Sequence, residues 1–349
     1  MNADPRSFAA AIRSDAQAKA DEQFARSATP TFTCIIPALN EAKNLACLIP
    51  KLNDVLRTIV TQYSILVIDD GSTDDTTAVA IALADTYPVR VLQLSRNFGK
   101  ESAIVAGLDH ADTDIVMLMD ADCQHPVELV PVFYAYWQQG YDMVYGVCCD
   151  RSDESAIKRR FTKWFYSVLS RTASIPIVPN AGDFRLFDRR VVEALRALPE
   201  RTRFMKGLYC WVGFRSIGVP YRPALRHAGK SQFTFRCLFK LALNGLTSFT
   251  DMPLKIWSAI GFAVAMLSTI YGVFIGVRTL IFGIDVPGWA TLTVAVTFLG
   301  GLQLFSIGVL GEYIGRIFSE VKQRPVYLVG RYFNLAPQNP VVQRNQIRR

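Results

Sequence analysis

The sequence is short of charge: Asp, Glu, Lys and Arg make up 19% of its 349 residues, while 50% are hydrophobic. So large an apolar share needs burial beyond that of an ordinary water-facing globule, and a membrane section is the natural place for it. Paired Cys-x-x-Cys spacing is missing as well. The cysteines number seven, with Cys148 and Cys149 adjacent, which argues against a disulfide framework and a structural zinc site and fits a reducing compartment. Residues 1–30 contain neither an apolar core run nor a small-residue cleavage site, so they read as a loosely ordered tail rather than a secretory signal. Acidic residues are outnumbered, and the formal charge of +8 suits anionic partners such as nucleotides, lipid phosphates or an acidic membrane face without choosing among them.

From Thr31 onward, short β-branched runs alternate with helix-length segments: Phe32 to Pro37, Ile65 to Ile68, Val89 to Leu94 and Ile115 to Met119. Strands apolar on both faces, joined by helical crossovers, predict a parallel sheet in an α/β domain with ligands at the carboxyl ends of the strands. Those ends carry Pro37-Ala38-Leu39-Asn40-Glu41, Asp69-Asp70-Gly71-Ser72, Arg96-Asn97-Phe98-Gly99-Lys100 and Asp120-Ala121-Asp122. Farther on, Ile256 to Val277 and Trp289 to Gly311 hold no charged residue; at about 1.5 Å per residue each suffices for a hydrocarbon core of about 30 Å. Membrane helices are therefore expected over 254–282 and 289–314. Cations cluster after the second, from Arg316 through Lys322, Arg324 and Arg331 to Arg349, so the N-terminal domain and a basic tail, 315–349, are expected in the cytoplasm. Amphipathic stretches near 157–171 and over 233–250 set aromatic and aliphatic bulk against basic residues, fit either for the membrane interface or for packing on the domain. Trp211 is expected in the core and Trp257 at the membrane interface.

Asp120 and Asp122 follow an apolar strand, and two hard oxygen donors there suit Mg²⁺ or Mn²⁺ held against a diphosphate. Taken alone, Asp-x-Asp is more often a turn or a cap. A second acidic cluster, Asp69-Asp70-Gly71-Ser72-Thr73-Asp74-Asp75, closes the earlier strand at the same sheet edge, though its Ser72, Thr73 and Asp74 equally suit the capping of a helix near Thr76. His125 stands before Pro126, where shaping a turn is the more natural role than ligating metal.

Five segments taken in order, Ile35-Ile36-Pro37-Ala38-Leu39-Asn40-Glu41, Asp69-Asp70-Gly71-Ser72-Thr73-Asp74, Arg96-Asn97-Phe98-Gly99-Lys100, Asp120-Ala121-Asp122-Cys123-Gln124-His125-Pro126 and Gly182-Asp183-Phe184-Arg185-Leu186, resemble the family 2 glycosyltransferases of GT-A fold. His227-Ala228-Gly229-Lys230-Ser231, Leu243 to Phe249, the two uncharged segments and Gly311-Glu312-Tyr313-Ile314-Gly315-Arg316 resemble the polyisoprenyl-phosphate branch of that family, which includes dolichyl-phosphate mannose synthase and the bactoprenol glucosyltransferases. The resemblance implies a GT-A nucleotide-diphospho-sugar transferase domain, with a Rossmann-like mixed sheet, over 31–232, followed by interface helices and two transmembrane helices. It implies that Pro37, Ala38, Glu41, Asp70, Lys100 and Asp120 hold the nucleotide sugar, Asp70 accepting from the base. It further implies that Asp120, Asp122 and Gln124 hold Mg²⁺ or Mn²⁺, that Asp122 and Asp183 are catalytic, and that Lys230 and Ser231 lie on an active-site loop. Cys123 departs from the apolar residue more usual there.

The implied acceptor is a lipid phosphate, largely a dianion at neutral pH and already nucleophilic. The site's harder task is to bring two anions together, and Arg151, Arg159 and Lys163 are expected to hold the acceptor phosphate, the arginines through their guanidinium forks. The implied reaction is inverting transfer of a hexose, glucose first, from a UDP-sugar to undecaprenyl phosphate at the cytoplasmic face of a multi-pass membrane protein. Rival donors are GDP-mannose and UDP-linked aminoarabinose, galactose or N-acetylglucosamine; a rival class is a non-catalytic lipid-binding scaffold. No nucleic-acid partner is expected. Gly300, Gly301, Gly308, Gly311 and Gly315 give small-residue faces for contact between copies or between the two spans.

Overall fold

The computed structural model describes residues 26–149, 181–201, 203–223, 252–282 and 288–334. Its first part alternates as the apolar periodicity requires: β1 (Thr31–Ala38), α1 (Ala42–Ile59), β2 (Gln62–Asp69), α2 (Thr76–Ala84), β3 (Val89–Leu94), α3 (Lys100–Asp109), β4 (Ile115–Leu118) and α4 (Val130–Gln138). Then come β5 (Met143–Cys148), β6 (Ala181–Asp188), α5 (Arg189–Ala197), α6 (Met205–Trp211) and β7 (Ser216–Tyr221). Two long helices, α7 (Met252–Phe282) and α8 (Trp289–Val321), precede a last strand, β8 (Val329–Phe333).

All eight strands form one sheet in the order β7-β5-β6-β4-β1-β2-β3-β8. The pairs β1/β2, β1/β4, β2/β3 and β5/β7 are parallel, whereas β6 runs antiparallel to β4 and β5, and β8 antiparallel to β3. The sheet is thus mixed, and the parallel order expected for its early strands holds within it. Strand β4 is buried along its length, and both faces of the sheet are covered. On one, Leu45, Leu48, Ile49 and Leu52 of α1 pack with Phe133 and Trp137 of α4. On the other, Ile104, Val105 and Leu108 of α3 pack with Val191 and Leu195 of α5 and with Tyr209 of α6. Removing about 25 cal/mol of unfavourable hydration per Å² of apolar surface, this double layer is what fixes the strand ends that carry the polar motifs.

Outside that core the chemistry changes. Phe262, Leu280, Phe282, Leu304 and Val321 on the long helices are each more than half exposed, a surface that water does not tolerate and an apolar bilayer does. The helices touch as a hairpin, with the Trp257 and Phe305 rings 4.5 Å apart. Among the described residues, one stretch, Phe298–Val321, is long and apolar enough to cross a membrane by the usual measure of hydropathy. That stretch suits a bilayer by length and composition; the double crossing expected over 254–282 and 289–314 does not rest on it. Among the described residues, nothing lies within 4 Å of a Cβ built at Gly300, Gly301, Gly308, Gly311 or Gly315.

Four features differ from expectation. Helix α8 runs on to Val321, past the expected end at residue 314, and part of the expected tail returns as β8 to pair with β3. Ser95 N–H reinforces that return by donating to Leu328 O at 2.9 Å. Trp211 is 55% exposed rather than in the core, because it ends the short helix α6 just before the Gly213 turn. At the other end of the domain Arg26, within the expected tail, is anchored: its guanidinium donates to Tyr141 O at 2.8 Å and lies 4.7 Å from the centre of the Trp137 ring. The stretches 157–171 and 233–250 lie outside the described residues.

Candidate active site

The carboxyl ends of β1, β2 and β4 bring three loops together. Asn40, with φ 58°, turns the chain after β1. Its N–H donates to Ser72 Oγ at 3.0 Å, and its Oδ1 accepts from Thr73 N–H at 2.9 Å. Glu41 N–H donates to Thr76 Oγ1, and the Glu41 carboxylate accepts from Asn44. The loop after β1 is thereby cross-linked to the loop after β2, with Pro37 and Ala38 at its root and Ala38 O accepting from Asp70 N–H. Gly71 makes the second loop possible: at φ +72°, a Cβ there would lie 2.5 Å from the Arg96 backbone, so no other residue fits without a shift.

Asp70 has a structural task beside the one implied for it by resemblance. Its Oδ1 accepts from Phe98 N–H at 2.7 Å and its Oδ2 from Gly99 N–H at 2.8 Å. Burial raises its pKa, against the opposing pull of those two bonds. The carboxylate therefore clamps the loop that delivers Lys100, whatever else it touches. Asp70→Asn keeps one acceptor and sets an amide N–H₂ against the other N–H; it is expected to cost about 2 kcal/mol, read as a lowered melting temperature together with a raised donor KM.

The clamped loop begins α3, and Lys100 at its first turn bridges two carboxylates. Its Nζ lies 2.6 Å from Asp120 Oδ1 and 2.8 Å from Asp183 Oδ2. Burial alone would lower the ammonium pKa, but the two carboxylates hold it above its ordinary value. Burial likewise would raise Asp183, yet the charges of Lys100 and Lys206 hold it well below the usual carboxylate range. Asp183 Oδ1 is buried with no hydrogen-bond partner among the described residues. Asp122, on the same loop as Asp120, accepts from Gln124 N–H at 3.1 Å. His125 closes that loop as a turn residue: its Nδ1 accepts the Asp120 N–H at 3.2 Å, and its ring stacks on Phe184 at 4.7 Å. Burial lowers its pKa, in keeping with a neutral ring that accepts.

Two carboxylates and one amide on one loop fit a hard divalent cation that takes its remaining ligands from water and phosphate oxygens. They do not make a closed protein cage, and among the described residues no group of three or more His, Cys, Asp or Glu does so. The expected acceptor cations Arg151, Arg159 and Lys163, and the loop residues Lys230 and Ser231, lie outside the described residues.

Sequence reasoning passed over Glu101 and Lys206. Glu101 Oε2 accepts from Met205 N–H at 3.3 Å, and burial, followed by the Asp183 charge, pushes its pKa up from 4.5 to about 7. Adjacency to Lys100 was the available hint, but the shift arises from burial and from Asp183 on β6, while Lys206 and the Met205 N–H of α6 oppose it. Below pH 4.5 Glu101 is protonated in folded and unfolded chains alike; between 4.5 and about 7 only the unfolded chain ionises, so stability from this group falls as pH rises. Glu101→Gln is expected to flatten that part of the melting-temperature profile.

A mixed α/β sheet with a carboxylate-lysine cluster and an Asp-x-Asp loop at the carboxyl ends of its parallel strands defines a glycosyltransferase of GT-A fold. The chain belongs to glycosyl transferase family 2, whose model matches residues 33–196; the model of the GtrB C-terminal hairpin matches 252–317, spanning α7 and most of α8. It is 44% identical over 311 residues to a glycosyltransferase of Synechocystis, covering 88% of this chain and 97% of that one. It is also 44% identical over 296 residues to the SfII prophage-derived bactoprenol glucosyl transferase of Shigella flexneri, covering 84% of this chain and 96% of that one. Among solved structures, glucosyl-3-phosphoglycerate synthase from Mycobacterium tuberculosis is similar at 21% identity and a TM-score of 0.44, covering 62% of this chain and 75% of that one.

Proposed function

We propose that the protein transfers glucose, with inversion, from UDP-glucose to undecaprenyl phosphate at the cytoplasmic face of the membrane. One observation carries this reading: the likeness to a bactoprenol glucosyl transferase runs almost end to end through the catalytic part and the helical hairpin alike. The site supplies the chemistry. A lipid phosphate dianion needs no strong base, and Asp183, kept ionised and bound to Lys100, is suited to ordering charge rather than to taking a proton. Lys100 would set one positive charge beside the departing diphosphate. Asp122 and Gln124, with Asp120, would hold Mg²⁺ or Mn²⁺, which when bound neutralises the diphosphate that leaves. The cross-linked loops at Pro37, Ala38, Glu41 and Asp70 would seat the nucleoside, Arg151, Arg159 and Lys163 the acceptor phosphate, and Lys230 and Ser231 would close over the donor and exclude water.

The test is direct. Detergent-purified full-length protein is incubated with undecaprenyl phosphate, Mg²⁺ or Mn²⁺ and, separately, radiolabelled UDP-glucose, UDP-galactose, UDP-N-acetylglucosamine and GDP-mannose. Label in the organic phase from UDP-glucose is the expected result. Label from another donor alone replaces glucose in this reading, and label from none, with the protein folded, removes the reading altogether.

A further inference from the structure

The first turn of α3 does two things with consecutive residues. Lys100 reaches Asp120 and Asp183, and Glu101 takes the N–H of Met205. Because Met205 begins α6, that bond brings the next residue, Lys206, up to the same cluster. The charge of Lys206 acts on both Asp183 and Glu101, yet Lys206 forms no ion pair or hydrogen bond among the described residues. It is half-buried at the edge of the cluster. Lys100 is committed to two carboxylates at once, whereas Lys206 is committed to none among the described residues.

We propose that Lys206 is a phosphate-binding residue of this site, held in place by Glu101 and presented beside Asp183 to the phosphoryl group of a substrate. The assignment rests on the transferase reading above. Both substrates of that reaction carry the same chemistry, a lipid phosphate on one side and a nucleoside diphosphate on the other. Lys100 already serves the Asp120 loop, assigned above to the donor, so the uncommitted Lys206 is assigned to the acceptor phosphate. A cation there answers the electrostatic difficulty of the reaction, the approach of one phosphate to another.

The experiment uses full-length Lys206→Met, Lys206→Gln and Lys206→Arg in detergent. Equilibrium binding of UDP and of a short-chain polyisoprenyl phosphate is measured separately, beside KM and kcat for each substrate. The neutral variants are expected to weaken binding of one phosphate ligand by about tenfold or more, and Lys206→Arg to recover most of it. Loss confined to the lipid phosphate supports the acceptor assignment; loss confined to UDP supports the same site but moves it to the donor. Binding of both ligands unchanged in the neutral variants overturns the proposal. So does an equal loss in all three variants that follows a lowered melting temperature, since that reports packing rather than charge. Because binding is read without turnover, absence of glucosyl transfer by the wild-type protein would defeat the proposed function while leaving the Lys206 result standing.

Discussion

Lys100→Met is expected to cut kcat/KM for the nucleotide sugar by about 100-fold or more, the order seen when one preorganised positive donor is taken from a reacting diphosphate or oxyanion. The geometry makes the loss larger than that of a single contact. Asp120 and Asp183 both face the Lys100 ammonium, at 2.6 and 2.8 Å, and without it two carboxylates meet with no charge between them. Folding is expected to weaken too, by about 2 kcal/mol. A fully buried pair would lose more when one member is removed, but the Lys100 side chain is 41% exposed and solvent screens part of the repulsion. Lys100→Arg restores the charge with a planar fork in place of a point, so partial stability and little rate should return. Initial rates together with melting curves in detergent check this. Near wild-type rates in Lys100→Met would take the cluster out of the reaction.

Asp122→Asn is the second large effect. The amide keeps the size and the carbonyl that accepts the Gln124 N–H, so the loop should hold and the melting temperature stay close to that of the unaltered protein. What goes is the negative charge for a divalent cation. Mn²⁺ affinity, followed by paramagnetic resonance without any donor present, should fall by about tenfold or more, and turnover by about a thousandfold. Retained Mn²⁺ binding would transfer the metal role to another residue. Retained turnover would deny it one.

Local signals in the chain and long-range packing divide the site between them. The strand at Val89–Leu94 is found where its β-branched run begins and ends, and the strands around Ile35, Ile65 and Ile115 differ from the apolar runs only at their ends. Polar motifs at their carboxyl ends converge because parallel strands point one way, which composition and spacing reveal. The turn role of His125 was legible from the proline that follows it. The partners of Asp70 were not, because its two N–H donors sit on another loop and nothing in Asp-Asp-Gly-Ser says which oxygen will face which chain. Nor was the linkage of Lys100 to Asp183, which needs β6 to run antiparallel beside β4. Glu101 on α3 and Lys206 on α6 owe their surroundings to two helices that lie far apart in the chain. Strand β8 escaped for a different reason: Val-Gly-Arg-Tyr-Phe has the half-polar look of an edge strand and lies in a basic stretch after an apolar helix, where a tail is the simpler reading.

The pairing of β8 with β3 has a consequence for how the protein is made. Synthesis runs from the amino end, so the ribosome completes β1 to β7 and both long helices before Val329 exists. Throughout that interval β3 presents one bare row of backbone donors and acceptors, the kind of edge on which nascent chains stick to one another. Closing the sheet at this edge therefore comes only after the ribosome has completed both long helices. A catalytic domain expressed without the hairpin would keep that edge open for good and should precipitate where the full-length protein does not. Appending residues 323–334 to such a fragment through a flexible linker would cap the edge and restore solubility.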